Sequence, residues 1–421
     1  MWTAFPVLAV GAVLCSAAPD EGPLSSTFPR WRDHPAILYT AKPTTDPIAD
    51  LNRRIDEGRS QLRSNGPSGY LQSLLDALNV PIESQVAVFA KDSVQASRIT
   101  PHNPRTIFFN ETVAVGWVAG GFIELAAQDP QQGVVFYTLD RTLLGKPRFM
   151  RRDDCLTCHY SYSTVGVPGM LERSVGQFTV DHRLPLEQRW GGWYVTGTLG
   201  AIRHLGNMDT DRLFESPPPS NTLNWPSLDG RFDTAVYLSA HSDITALMVF
   251  AHQMHMMNLL TRIGWEARVA AYEKRTPMAD AGSASDIPVP LRDAAKEVAD
   301  YLLFVDEARL ADTIQGSTRF AEKFAAQGPR DRKGRSLRQF DLKRRLMRYS
   351  CSYMIYSPLF DALPAEARDA IYRRMWEILS GEEKAKKYRR LSAVDRAAIV
   401  EILRDTKQDL PSYFSPPARQ N

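Results

Sequence analysis

The sequence predicts an α+β protein: an antiparallel, β-rich N-terminal half, then a mostly α-helical C-terminal half. Three observations lead there. Between 85 and 139, short β-branched and aromatic runs alternate with Gly, Asn and Asp-Pro punctuation, the pattern of strands joined by tight turns. From Asp233 onward the apolar residues recur at helical spacing instead. Hydrophobic residues make up 43% and charged residues 24% of the 421, ordinary values for a chain that buries a large core. No internal apolar run is long enough to span a bilayer. A net charge of +3 is too small to imply a nucleic-acid partner.

Residues 1–18 form one apolar stretch, Phe5 to Leu14, followed by Ser16-Ala17-Ala18, which reads as a secretory signal peptide. Its start carries no Lys or Arg, an unusual feature for such a leader. Cys15 after Leu14 could mark a lipoprotein, but Leu suits the position before a modified Cys poorly, so a cleaved, periplasmic or secreted protein is expected. Residues 19–35, rich in Pro, Ser and charge, read as a linker. Asp46 to Leu78 holds two short amphipathic helices separated by the turn residues Ser64 to Gly69.

The strands follow: Gln85–Ala90, Arg105–Phe109, Thr112–Val118, Phe122–Ala126 and Val134–Leu139, read as an antiparallel meander. Together with the two helices they make an α+β domain at 36–150. The meander leads into Cys155-Leu156-Thr157-Cys158-His159, within an attachment segment at 151–215. Cys-x-x-Cys-His is the attachment sequence of a c-type haem. Two thiols at this spacing can add to the two vinyl groups of one porphyrin, and the adjacent imidazole can ligate its iron as proximal ligand. A redox dithiol and a structural zinc site are the competing chemistries. The first favours a strand-to-helix setting and the second a further Cys or His pair at similar spacing. Only Cys15 and Cys351 remain, and Cys351 reads as a buried free thiol. The expected cofactor is therefore one covalent haem c on Cys155, Cys158 and His159. Export agrees with it, since covalent haem attachment in bacteria takes place outside the cytoplasm.

Strands are expected again at Leu171–Val180 and Trp190–Gly197, then a Pro-rich loop at 216–232. A helical domain fills 233–421, with helices at Leu238–Lys274, Leu291–Asp312, Leu342–Tyr356, Ala365–Leu379 and Ala393–Thr406. Ser392 is the expected N-cap of the last. The iron's other axial position could be open or filled. Candidate distal ligands are His252 and His255 on the long helix, on one face with His241 and Met248, and His204 and His182 nearer the motif. Met170 and Met208 offer a thioether instead. The competing reading of the helix stripe is packed core, and His34 and His102 read as surface or loop residues.

Arg330, Arg332, Lys333, Arg335, Arg338, Lys343, Arg344, Arg345 and Arg348 form a basic stretch, either a solvated face or a docking surface for an acidic redox partner protein. No phosphate-cradling Gly-rich loop, nucleophile elbow or His-Glu-x-x-His pair is present.

The segments Arg152–His159, Gly166–Gly169, Arg189–Gly197 and Arg203–Asn207 resemble a family of exported bacterial proteins with a single Cys-x-x-Cys-His, described only as cytochrome c-like. The helix around His252–His255 and the tail Leu391–Arg396 are similar too, so the resemblance runs from about Val86 to the tail. It implies export and covalent haem but no substrate. Small cytochromes c differ, because their motif sits near the start of a short all-α chain. The expected function is periplasmic electron transfer. The alternative is a haem c-dependent redox enzyme, a peroxidase or a small-molecule oxidoreductase, with an open distal site.

Overall fold

A computed structural model of the chain describes residues 31–139, 147–175, 179–215, 221, 224–275 and 289–415. The leader expected at 1–18, most of the linker and much of the Pro-rich loop lie outside them. The architecture is α+β. Helices α1 (Pro47–Asp56) and α2 (Leu71–Ala77) stand where two short helices are expected. Strands β1 (Val86–Val88), β2 (Arg105–Phe109), β3 (Val113–Trp117), β4 (Ile123–Asp129) and β5 (Gly133–Leu139) form the antiparallel meander. Two short strands add to its edges, β6 (Met150–Arg151) beside β5 and β7 (Trp193–Tyr194) beside β1.

Register sets the two faces of this seven-stranded sheet. Phe136 pairs with Ala126, Ala126 with Ala114 and Ala114 with Phe109, and directly opposed residues share a face. The motif forms a single turn, α3 (Leu156–His159), whose imidazole meets Phe136 on that face. A two-stranded ladder, β8 (Gly197–Thr198) with β9 (Gln315–Gly316), lies apart from the sheet.

The long helix α4 (Ile244–Arg275) covers the same face: Phe250 packs on Phe109 at 5.0 Å, and Gln128 donates to Thr261 Oγ1. Every residue from Ile244 to Thr261 is buried, so the helix has no polar side. On the opposite face the Tyr137 hydroxyl donates to Asp46 at 2.7 Å, and Asp46 caps α1 through the amides of Ile48 and Ala49. The remaining helices are α5 (Val289–Leu302), α6 (Phe320–Ala326), α7 (Pro358–Asp361), α8 (Ala365–Ser380) and α9 (Ala393–Thr406). One contiguous apolar core runs from Ile37 to Phe414.

Four expectations of local structure change. Residues 171–175 and 179–180 form no regular strand, because their backbone turns back on itself, Val180 N–H donating to the Glu172 carbonyl. The helix expected at Leu291–Asp312 stops at Leu302, where Phe304 and Asp306 take positive φ. Leu342–Tyr356 is irregular except for one turn at Tyr353–Tyr356, since Leu342 takes a φ of 55° and the backbone of Asp341 and Leu342 bonds back to Leu346 and Arg345. His241 precedes α4, whose first turn is held by Asp243 accepting from Thr245 and Ala246. Ser392 caps α9 as expected, accepting from the Asp395 amide.

Candidate functional site

The motif sits at the sheet's β6–β5 edge. Arg151–Asp153 and Arg152–Asp154 ion pairs fix its approach, and α3 turns the two Cys and the His onto neighbouring positions. Cys155 and Cys158 are partly exposed and not joined in a disulfide. Burial, Asp154 and Glu124 push the Cys155 thiol up to about 11. Such a thiol is protonated at neutral pH, which weakens the redox-dithiol reading, because that chemistry needs a low-pKa thiolate. Among the described residues no group of three or more His, Cys, Asp or Glu is arranged to hold a metal ion, so the zinc reading gains no further ligand pair.

His159 is the side chain of the motif held on both its ring and its backbone. Its Nδ1 lies 2.9 Å from the Gly169 carbonyl oxygen. A carbonyl can only accept, so Nδ1 carries the hydrogen and Nε2 keeps its lone pair. The Gly169 amide donates in return to the His159 carbonyl, also at 2.9 Å. The ring lies 4.7 Å from Phe136, and that enclosure lowers its pKa to about 4. A neutral imidazole with Nδ1 donating to a backbone carbonyl and Nε2 free is the form that ligates iron. Two thiols, this imidazole and their spacing fit the donor set that a covalent haem requires. When bound, haem supplies a one-electron couple at its iron.

The four distal candidates divide. His182, His252 and His255 come together in a sealed cluster between α4, α5 and the loop after Ser174. His182 Nδ1 and His252 Nδ1 are 2.8 Å apart and share one hydrogen. His252 Nε2 meets Ser352 Oγ at 2.7 Å, and its ring lies parallel to Tyr301. His255 Nε2 accepts from Arg183 at 3.1 Å, and Arg183 pairs with Asp181. Burial lowers the pKa of all three, to about 3 at His252 and about 4 at His255.

On α4, His252 projects away from Phe250, Gln253 and Thr261, which meet the sheet, and toward Tyr301 of α5. His204 is wholly buried in another place, beside Trp190, and Met170 and Met208 are also buried. A cavity of about 290 Å³ opens beside the histidine cluster, its wall shared with Arg183 and Tyr301.

The basic stretch is largely neutralised. Arg332 pairs with Asp405, Lys333 with Glu401, Arg335 with Asp331 and Glu401, Arg345 with Asp395, and Arg338 with Glu111. Cys351 is a buried free thiol, as expected.

Two polar residues near the motif escape sequence reasoning. Glu172 is 1% exposed, and burial raises its carboxyl to about 8. Its oxygens make no full hydrogen bond, only a loose approach to the Trp190 indole. Asn258, in the middle of α4, donates to the Met170 carbonyl at 2.7 Å and accepts from the Met170 amide at 3.1 Å. The available signal was an amide flanked by Met256, Met257, Leu259 and Leu260, since a buried amide needs partners. Comparison of the chain with protein-family models, with curated proteins and with solved structures finds no match.

Proposed function

We propose that this chain is an exported haem c protein that transfers electrons, with haem attached through Cys155 and Cys158 and His159 as the proximal ligand. The observation that carries the reading is the His159 Nδ1–Gly169 carbonyl contact at 2.9 Å. It fixes the tautomer that leaves Nε2 for iron, directly beside two thiols at vinyl spacing. The resemblance to exported cytochrome c-like proteins supports the same reading. In this reading the sheet edge holds the attachment turn rigid, and Phe136 limits water on one side of the imidazole.

A second reading, a haem-dependent redox enzyme, is favoured by Glu172. Its carboxyl is buried and protonated at neutral pH, and it lies three residues after Gly169. A buried acid of this kind can deliver or take a proton near pH 8.

The test is expression with export in a host that carries haem-attachment machinery. A denatured mass raised by one haem, with a pyridine haemochrome spectrum of the c type, is expected. An unmodified polypeptide mass, or haem that extracts into acidified solvent, sinks the proposal. The ferric spectrum then separates the readings: low-spin favours the carrier, high-spin the enzyme.

A further inference from the structure

Three consecutive residues after the motif are tied to three different elements. The Pro168 carbonyl accepts from the Val134 amide of β5 at 3.0 Å. Gly169 exchanges hydrogen bonds with His159, through the imidazole and through the backbone. Met170 gives both its amide and its carbonyl to the Asn258 side chain. The loop also carries stress upstream: Val165 takes a φ of 50°, a region that β-branched residues avoid. Arg262 of α4 holds the Val165 carbonyl at 3.0 Å. Gly169 must lack a side chain, because a Cβ there would lie 2.2 Å from Asn258 Oδ1 and 3.1 Å from Thr164 Cβ. Asn258 is 1% exposed, so its amide is satisfied by this loop or not at all.

We propose that Asn258 is the positioning residue of the attachment site: by clamping Met170 it places the Gly169 carbonyl, and that carbonyl sets the tautomer and plane of the His159 ring. This rests on the haem reading for its consequence at iron, but not for the clamp itself. A proximal imidazole whose N–H is well hydrogen-bonded is a more basic ligand and favours the oxidised metal. Loosening the clamp therefore raises the midpoint potential.

The decisive comparison uses the full exported chain with Asn258→Ala, Asn258→Asp and, as a control, Gln253→Ala. Gln253 is another buried amide of α4, but it bonds Asn110 and Tyr353 and touches nothing in the loop. Asn258→Ala is expected to keep covalent haem while its midpoint potential rises. With ¹⁵N-labelled histidine, the Nδ1–H resonance of His159 moves toward that of a weaker hydrogen bond, and in the haem-free chain it gives way to a mixture of tautomers. Asn258→Asp keeps the acceptor for the Met170 amide and is expected to fall between parent and Asn258→Ala, which decides the matter should the alanine variant not fold. Gln253→Ala should lose stability with potential and Nδ1 signal unchanged. Parent-like potential and Nδ1 signal in both Asn258 variants overturn the proposal while leaving the haem reading intact. A parent chain without covalent haem removes that reading instead, and the ¹⁵N measurement on the haem-free chain still decides the clamp.

Discussion

Both ring nitrogens of His252 are engaged, one by Ser352 and one by His182, in a place without solvent. Its removal leaves His182 Nδ1 without a partner, worth about 1–3 kcal/mol, while Ser352 Oγ keeps the Met354 amide. His252→Ala is therefore expected to lower unfolding free energy by about 1–3 kcal/mol, read by urea titration, with the spectrum of the proposed haem unchanged. A changed ligand field would show instead that His252 reaches the iron. Glu172 behaves oppositely. Its folded pKa, about 8, lies above the ordinary 4.5, so the unfolded chain releases this proton first as pH rises. Its contribution is fully present below pH 4.5 and lost as pH rises through 8. Glu172→Gln should thus gain stability relative to parent at pH 9, by about 2–4 kcal/mol, and lose that advantage at pH 5.

At the scale of elements, the N-terminal helices are joined to the sheet through polar contacts as well as apolar packing. Asp46 caps α1 and accepts from the Tyr137 hydroxyl of β5, while Ile48, Leu51 and Ile55 supply the apolar face. Asp46→Ala removes the cap, worth about 1 kcal/mol, and takes the carboxylate acceptor from the Tyr137 hydroxyl, which keeps only Thr44 Oγ1 at 3.1 Å, worth about 1–3 more. A combined loss of about 2–4 kcal/mol is expected by thermal or chemical unfolding. Pairing it with Tyr137→Phe should recover part of that loss, because the hydroxyl that lost its carboxylate disappears; simple additivity would show that the two do not cooperate. On the other face α4 has a different task. Its buried circumference lets it meet the sheet through Phe250, the loop through Asn258 and α5 through His252.

Across the whole molecule, stability is bounded at acid pH by its buried imidazoles. His182, His252 and His255 are held neutral by burial, with folded pKa values below the ordinary 6.5. The unfolded chain binds their protons first, so their contribution is complete above pH 6.5 and lost progressively as pH falls toward 4. Urea midpoints should decline steeply over that interval. His255→Gln should flatten the decline, and an unaltered slope would place the acid sensitivity elsewhere. Charge at the surface is balanced by the fold rather than by composition: Arg332, Lys333, Arg335 and Arg345 of the 330–348 stretch all meet acids of α9. Exposed pairs of this kind are worth little in stability, but they cancel the local field that would steer an acidic partner.

The sequence by itself determined the meander, the two short helices before it, and the helices α8 and α9 with the Ser392 cap. Those features are local: period-two and period-3.6 apolar patterns and a cap one turn from its partner. Tertiary structure decided the rest. The stretch 342–356 carries enough apolar residues for a helix, yet its backbone turns back at Leu342, where Phe340 bridges Met347. Spacing on the long helix puts several histidines on one side, but spacing cannot say which side faces the sheet. That was settled by the register of β2 to β5, which turns Phe109 and Phe136 toward α4 and leaves His252 for α5. Asn258 and Glu172 were silent for the same reason. Their meaning comes from a loop and an indole brought beside them from 88 and 18 residues away, contacts that only a folded chain can make.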